Sequence, residues 1–441
     1  MTLEDLQKII SEFIKEKHSQ KTWTAGADWV QYAGPYFSSE EYVAAVSSIL
    51  NEWLVLGKDA ITFESEFPKL MGKEYGILTN SGSSSNLIMM SALTSKRLYN
   101  FPKKTKVITP IAGFPTTLNP IFQVGFEPIF VDIDLNTLNL NLDQVEEQAK
   151  KGARVITFAH VLGNPPDMNR LMNIVKQYNL ILLEDCCDAL GSTYDHKPLG
   201  SFGELASCSF YPAHHITMGE GGFVASKTKI QEIVSRSFRE WGRGCYCVGK
   251  KANLLKNGSC GNRFSNWLPE LPDEIFDHKY VYDEIGYNLK PIELQASIGL
   301  EQMKKLPLIH QKRKQNHAKL VNIFKPYEEF FILPKATNLS DPSWFAFAVT
   351  IKDNNKFKRK DIVDFLESNK IQTRPYFAGN IMLQPAYDGL INKNDVITKY
   401  PNARKVTTDT FFLGTSPVIT PEQLNYVEEI VHSFFKKHTS A

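Results

Sequence analysis

Long apolar runs, blocks of like charge and internal repeats are all missing from this 441-residue chain, and each absence removes a class of function. Without an apolar stretch of about 20 residues, no helix is expected to span a bilayer. Fifty basic side chains stand against 48 acidic ones, a formal charge of +2. Neither sign is gathered into a block, so the electrostatic footprint of a nucleic-acid or membrane-surface binder is absent. Cysteine is scarce, six residues in all, and no export signal is expected. The opening stretch MTLEDLQKIISEFIKEKH instead sets Leu3, Leu6, Ile9, Ile10 and Phe13 at helical spacing among charges, as in an amphipathic helix. Such thiols are expected to be free or metal-bound, and the expected compartment is the cytoplasm. One further shortage is local: there is no lysine between Pro198 and Ser226.

What is present is a two-domain pattern. The chain exceeds the roughly 250–300 residues at which one core stops growing. Seven short apolar segments, YGILTN, KVITPI, EPIFVDID, RVITFAHV, LILLED, ASCSFY and GGFVAS, alternate with helical stretches between residues 75 and 226. That alternation predicts an α/β domain with a largely parallel sheet. After the QASIGLEQMKKL helix the texture changes to WFAFAVTIK, a helix around DIVDFLESNKI, and a final helix capped by Thr420 with Pro421 and Gln423 behind it. The expected division is an N-terminal helical segment over 1–57, a large domain over 58–306 and a smaller α+β domain over 307–441.

In such sheets ligands gather at the carboxyl ends of strands. After YGILTN comes Ser81-Gly82-Ser83-Ser84-Ser85 leading into a helix, which is either a phosphate cradle or an ordinary serine cap. After LILL comes Glu184-Asp185, a carboxylate pair that needs a cationic partner, if only in a structural salt bridge. Cys187, Cys245, Cys247 and Cys260 are separated by 57, 1 and 12 residues, whereas Cys186 and Cys208 fit no such series. Four thiolates suit a [2Fe–2S] centre or zinc, and buried cysteines also serve as small hydrophobes.

The third strand end, SFYPAHHITMGEGG, joins these signals. With NSGSS, AGFPTT, AHVLGNPP and FAGN in the same order, the chain resembles the DegT-type (DegT/DnrJ/EryC1/StrS) sugar aminotransferases from about residue 20 to the C-terminus. The resemblance implies an aspartate-aminotransferase-like fold (pyridoxal-phosphate fold type I). It also implies a cofactor whose phosphate lies on Gly82, Ser83, Ser84 and Ser209, whose ring nitrogen meets Asp185 and whose ring stacks on Phe114. Asn288 of GYNLKPIELQASIG would reach the phosphate in the neighbouring subunit of a homodimer. In the family a lysine carries the cofactor covalently, and that position falls here on His214, with His215 as rival. This departure resembles the lysine-free dehydrases of the family, in which the cofactor stays as pyridoxamine 5′-phosphate and histidine is the base.

By the same resemblance, Cys187, Cys245, Cys247 and Cys260 would hold a [2Fe–2S] cluster fed by a NADH-dependent iron–sulfur flavoprotein reductase. The last spacing is expanded relative to the family motif, so Cys260 is the ligand it supports least. The implied reaction is removal of the C3 hydroxyl of a nucleotide-linked 4-keto-6-deoxyhexose, CDP-4-keto-6-deoxy-D-glucose by overall likeness, on the way to 3,6-dideoxysugars of surface polysaccharide. Arg374 in TRPYFAGN is the candidate diphosphate contact, with a surface salt bridge as its other reading. Rival functions are a dTDP- or GDP-linked sugar 3-dehydratase, the latter without need of the cysteines, and a non-enzymatic cofactor-binding sensor.

Overall fold

The computed structural model describes residues 1–245 and 260–439. Seven strands, β1 Tyr75–Thr79, β2 Lys106–Pro110, β3 Glu127–Val131, β4 Val155–Ala159, β5 Ile181–Asp185, β6 Leu205–Ser209 and β7 Gly222–Ser226, form one sheet in the order β1-β7-β6-β5-β4-β2-β3. These are the seven apolar segments of the sequence. All neighbours are parallel except β7, which runs antiparallel to both β1 and β6.

Alternation along each strand explains the layering. Successive side chains point to opposite faces, and here both faces are dry. Ile77, Val107, Val155, Leu183, Leu205 and Val224 pack into one buried cluster, while their neighbours Leu78, Ile108, Ile156, Leu182, Ala206 and Phe223 pack into another. A sheet covered on both sides needs near-continuous apolar strands, which is what the segments carry.

The helices are α1 Leu3–Ser19, α2 Ser39–Leu50, α3 Lys58–Glu66, α4 Gly82–Ala92, α5 Pro115–Gln123, α6 Leu142–Lys150, α7 Met168–Gln177, α8 Lys229–Arg239 and α9 Glu293–Phe324. Helix α1 begins at a capping box between Thr2 and Asp5. It differs from its expected amphipathic reading in one respect: Ile14 is buried and Leu6 and Ile10 half-buried, while Leu3, Ile9 and Phe13 stay exposed. Its inward stripe is therefore the i, i+4, i+8 row that meets α2.

Helix α9 is longer than the sequence suggested. Pro307 lies inside it, where a lost hydrogen bond and a ring clash ordinarily end a helix. Burial of Leu306, Ile309, Arg313 and Leu320 on both sides of the proline holds the helix together. The division drawn at 306 thus falls within one continuous helix. Beyond it, β8 Phe331–Ile332, β9 Ala346–Ile351, β10 Arg374–Pro375 and β11 Thr410–Gly414 make an antiparallel sheet in the order β8-β9-β11-β10. A third cluster, including Phe347, Val349, Ile362, Phe411 and Phe434, covers it. The last helix, Pro421–Thr439, starts where Thr420 Oγ1 accepts from the Gln423 N–H at 3.2 Å. No helix among the described residues is long and apolar enough to cross a membrane.

Candidate active site

The carboxyl ends of β1, β2, β4, β5 and β6 open on one cavity of about 550 Å³, within the roughly 300–1,000 Å³ usual for small-molecule sites. Gly82, Ser83, Phe114, Asp185, Cys187, Ser209, His214 and Arg374 all line it. Its floor starts at β1, whose Leu78 N–H donates to Glu64 at 2.9 Å and whose Leu78 carbonyl accepts from buried Arg239 at 2.8 Å. Ser81 then caps α4, its hydroxyl accepting from the Ser84 N–H at 3.1 Å. The first N–H groups of α4 therefore look into the cavity with the positive end of the helix dipole behind them. Gly82 is required there by space: a Cβ would come within 2.5 Å of Ser209 Cβ and 2.9 Å of Cys187 Sγ. Ser84 turns its hydroxyl away, donating to Asn80 Oδ1 at 2.6 Å.

Asp185 ends β5 and is 4% exposed. The sequence led us to expect a cationic partner; neutral donors take that place. Oδ2 accepts from Asn86 Nδ2 at 2.8 Å and Thr117 Oγ1 at 2.7 Å, and Oδ1 from the Cys187 N–H at 3.1 Å. Ser207 Oγ lies 3.3 Å from Oδ1 and 2.6 Å from Asn86 Oδ1. Its single proton goes to the nearer acceptor, so Ser207 orients Asn86, which in turn serves Asp185. Asn86 and Thr117 were missed in the sequence, although they stand in the helices that the NSGSS and AGFPTT stretches begin. The neighbouring Glu184 points to the opposite face, fully buried on His160 at 2.9 Å and on the N–H groups of Gly200 and Gly203.

The loop after β6 presents the two histidines. Phe210 anchors it in the core, edge-on to Phe67 with ring centroids 5.1 Å apart. His214 faces the cavity, its Nδ1 3.5 Å from Asp188 Oδ1 and its ring 5.3 Å from that of Phe345. His215 points the other way, Nε2 on the Ser343 carbonyl at 2.7 Å. Burial, aided by Arg313, holds His214 down to about 4, and burial with the charge of Asp185 pushes Asp188 up to about 8. The pair is thus uncharged near neutrality. Asp188, like Asn86 and Thr117, was missed in the sequence.

Elsewhere the expected residues spread out. Arg374 lays its guanidinium 4.5 Å from the centre of the Tyr32 ring at the cavity wall. Asn288 is exposed, accepts from Lys290 Nζ at 2.8 Å and does not line this cavity. Cys187 lies beside Gly82 and Ser209, and Cys245 and Cys260 are half-buried. Cys247 lies outside the described residues. Among the described residues, the group whose ligand atoms lie close enough to share one metal ion is His160, Glu184 and Cys186. No disulfide joins Cys186, Cys187, Cys208 or Cys245.

A serine-rich helix start facing a strand-end carboxylate across one cavity, on a mostly parallel sheet with a smaller α+β partner, defines an aspartate-aminotransferase-like α/β protein. The chain belongs to the DegT/DnrJ/EryC1/StrS aminotransferase family, whose model matches residues 37–432. It is 39% identical over 434 residues, 98% of each chain, to the lipopolysaccharide biosynthesis protein RfbH of Salmonella typhimurium. It is also 39% identical over 430 residues, 97% of this chain and 91% of the other, to a dTDP-4-dehydro-2,6-dideoxy-D-glucose 3-dehydratase of Saccharopolyspora spinosa. Among solved structures, an E. coli GDP-4-keto-6-deoxy-D-mannose-3-dehydratase with bound hydrated PLP matches with a TM-score of 0.78 at 26% identity, covering 92% of this chain and 99% of that one.

The buried histidines give an acid-stability prediction. Burial holds His310 down to about 4 and His317 to about 3, and it likewise lowers His214 and His215. An unfolded histidine protonates near pH 6.5, so between about 6.5 and 4 the unfolded chain binds more protons and stability falls as pH is lowered. Above that window both states are neutral and the contribution is flat. The thermal unfolding midpoint should drop from pH 7 to pH 4.5, less steeply in His317→Gln. A midpoint that does not move over this range, measured by circular dichroism, would count against these rings being buried and neutral.

Proposed function

We propose that this chain is a pyridoxamine 5′-phosphate-dependent hydro-lyase that removes the C3 hydroxyl of a nucleotide-linked 4-keto-6-deoxyhexose. The observation that carries the reading is a cavity with no lysine among its described lining residues, in which His214 shares the wall with Asp185. Relatives named as 3-dehydratases of dTDP- and GDP-linked keto-sugars support it. CDP-4-keto-6-deoxy-D-glucose is the proposed substrate, for 3,6-dideoxysugars of surface polysaccharide; the similarity to the dTDP-sugar enzyme favours a dTDP-linked substrate as the second reading.

The residues present fit such a cofactor. The α4 N–H groups at Gly82 and Ser83, with Ser209, would hold its phosphate, the space that a Cβ on residue 82 would close. Asp185 would face the ring nitrogen, and half-exposed Phe114 would cover the ring. When bound, the group supplies an electron sink conjugated to the sugar carbons. His214 takes up and returns a proton: its Nδ1 is buried toward Asp188, which leaves Nε2 as the working nitrogen, and the ring is neutral at physiological pH. Phe345 and Tyr376 exclude water beside it, and Arg374 offers a planar fork to the diphosphate.

The proposed active unit is a homodimer in which Asn288 reaches the partner's site. The Glu293 N–H donates to the Leu54 carbonyl, so exposed Trp53, Leu54 and Val55 adjoin exposed Ile292, an apolar surface suited to a second copy. The proposed [2Fe–2S] centre on Cys187, Cys245, Cys247 and Cys260, with a NADH-dependent iron–sulfur flavoprotein as electron source, rests on the cysteine spacing and on the resemblance to the lysine-free dehydrases.

Three outcomes are expected. His214→Lys, given pyridoxal phosphate, should acquire a borohydride-reducible linkage and lose most dehydration, because lysine offers an amine where histidine cannot. Linkage in His215→Lys instead would reassign the base. Cys187→Ser and Cys247→Ser should each lower bound iron and abolish reductive turnover while cofactor still binds, with Cys208→Ser keeping its iron; unchanged iron in the first two refutes the ligand set. Sedimentation should find a dimer at working concentrations, and a fully active monomer would rule out the shared site.

A further inference from the structure

Helix α9 sends one arginine to the back of the site. Arg313 is 1% exposed, and burial pulls its pKa down to about 10. Its hydrogen bonds go to carbonyl oxygens in two places. One terminal nitrogen donates to Ala213 at 3.1 Å and His214 at 3.0 Å, and the other to Phe345 at 3.1 Å and Trp344 at 3.4 Å. Nε has no partner. If packing alone were at stake, an apolar side chain of similar size would avoid the cost of burying this charge.

The rest of the histidine loop is tied down by other means. His215 holds the Ser343 carbonyl, and the Thr217 N–H donates to Gln302 Oε1 at 3.3 Å. The His214 ring has no such tether, since its Nδ1 makes no hydrogen bond and stands 3.5 Å from Asp188. Its direction therefore follows from the backbone that carries it. Arg313 also grips the carbonyl of Phe345, whose ring forms the wall against His214.

We infer that Arg313 is a positioning residue for the proposed reaction: its planar fork clamps the 213–214 backbone of the large domain to the 344–345 backbone entering β9, and so aims the His214 imidazole into the cavity. The inference rests on the reading of His214 given above. A point charge could not serve equally, because four carbonyls in two pairs match a rigid fork of donors.

The covalent trapping of His214→Lys by pyridoxal phosphate and borohydride supplies the readout. At saturating pyridoxal phosphate its rate reports the aim of side chain 214, whereas a non-covalent absorbance titration reports affinity. Adding Arg313→Met to His214→Lys should slow linkage roughly ten- to a hundredfold, the cost of about an ångström of misplacement, with affinity unchanged. Adding Arg313→Lys should slow it by a smaller factor, and that variant carries the test if the methionine variant does not fold. Undiminished linkage in the double variants overturns the inference, as does a parallel loss of affinity and linkage, which would make Arg313 purely structural. No linkage in His214→Lys itself overturns the placement of His214, and the inference with it, and is distinguishable because it is read before Arg313 is touched.

Discussion

A carboxylate at the end of a buried strand must recover the hydration it loses, and the way Asp185 does so organises the rest of the site. Each of its close donors comes from a different part of the chain: Asn86 from α4, Thr117 from α5 and the Cys187 N–H from the turn after β5. Ser207 on β6 steadies Asn86 from behind. Leaving such a group unpaired costs several kcal/mol, so these elements cannot shift independently. Each of these donors is neutral, so none of them is a counter-ion. The cavity thus has a fixed carboxyl group at one end and, at the other, the positive end of α4.

Close packing sets how near those two ends come. A Cβ on Gly222 would meet the Ser81 backbone at 2.3 Å, just as one on Gly82 would meet Ser209. Small residues let β7 and the end of β6 press against the α4 start, and the cavity inherits its dimensions from that contact. Below it Phe63, Phe67, Phe210 and Phe223 form an aromatic block on which the histidine loop begins. The loop is therefore anchored at its base by aromatic packing and farther along by polar contacts from α9 and the strand entering the small sheet.

Charge is distributed unevenly around the histidine. Asp185 accepts hydrogen bonds from Asn86, Thr117 and the Cys187 N–H, whereas His214 and Asp188 are both driven toward their neutral forms by burial. A neutral imidazole is suited to moving a proton without building net charge in a dry cavity. Arg313 reinforces this from behind, since a buried cation disfavours a second one nearby.

Much of this was legible from residue order alone. Seven apolar segments marked the seven strands because a sheet dry on both faces needs apolar side chains at nearly every position; strand ends then marked Gly82 and Asp185, while the family resemblance marked Ser209 and His214. The missing lysine between Pro198 and Ser226 is likewise a property of the chain. Local pattern, however, reports only what a segment buries and not what meets it. That Asp185 takes neutral partners 99 and 68 positions away, that His214 and not its neighbour turns to the cavity, that α9 runs through Pro307 and that Arg313 joins carbonyls about 100 and 32 positions away were decided only when distant segments packed together. The cost of leaving a buried polar group without a partner selects among such pairings, and it is felt only in the assembled fold.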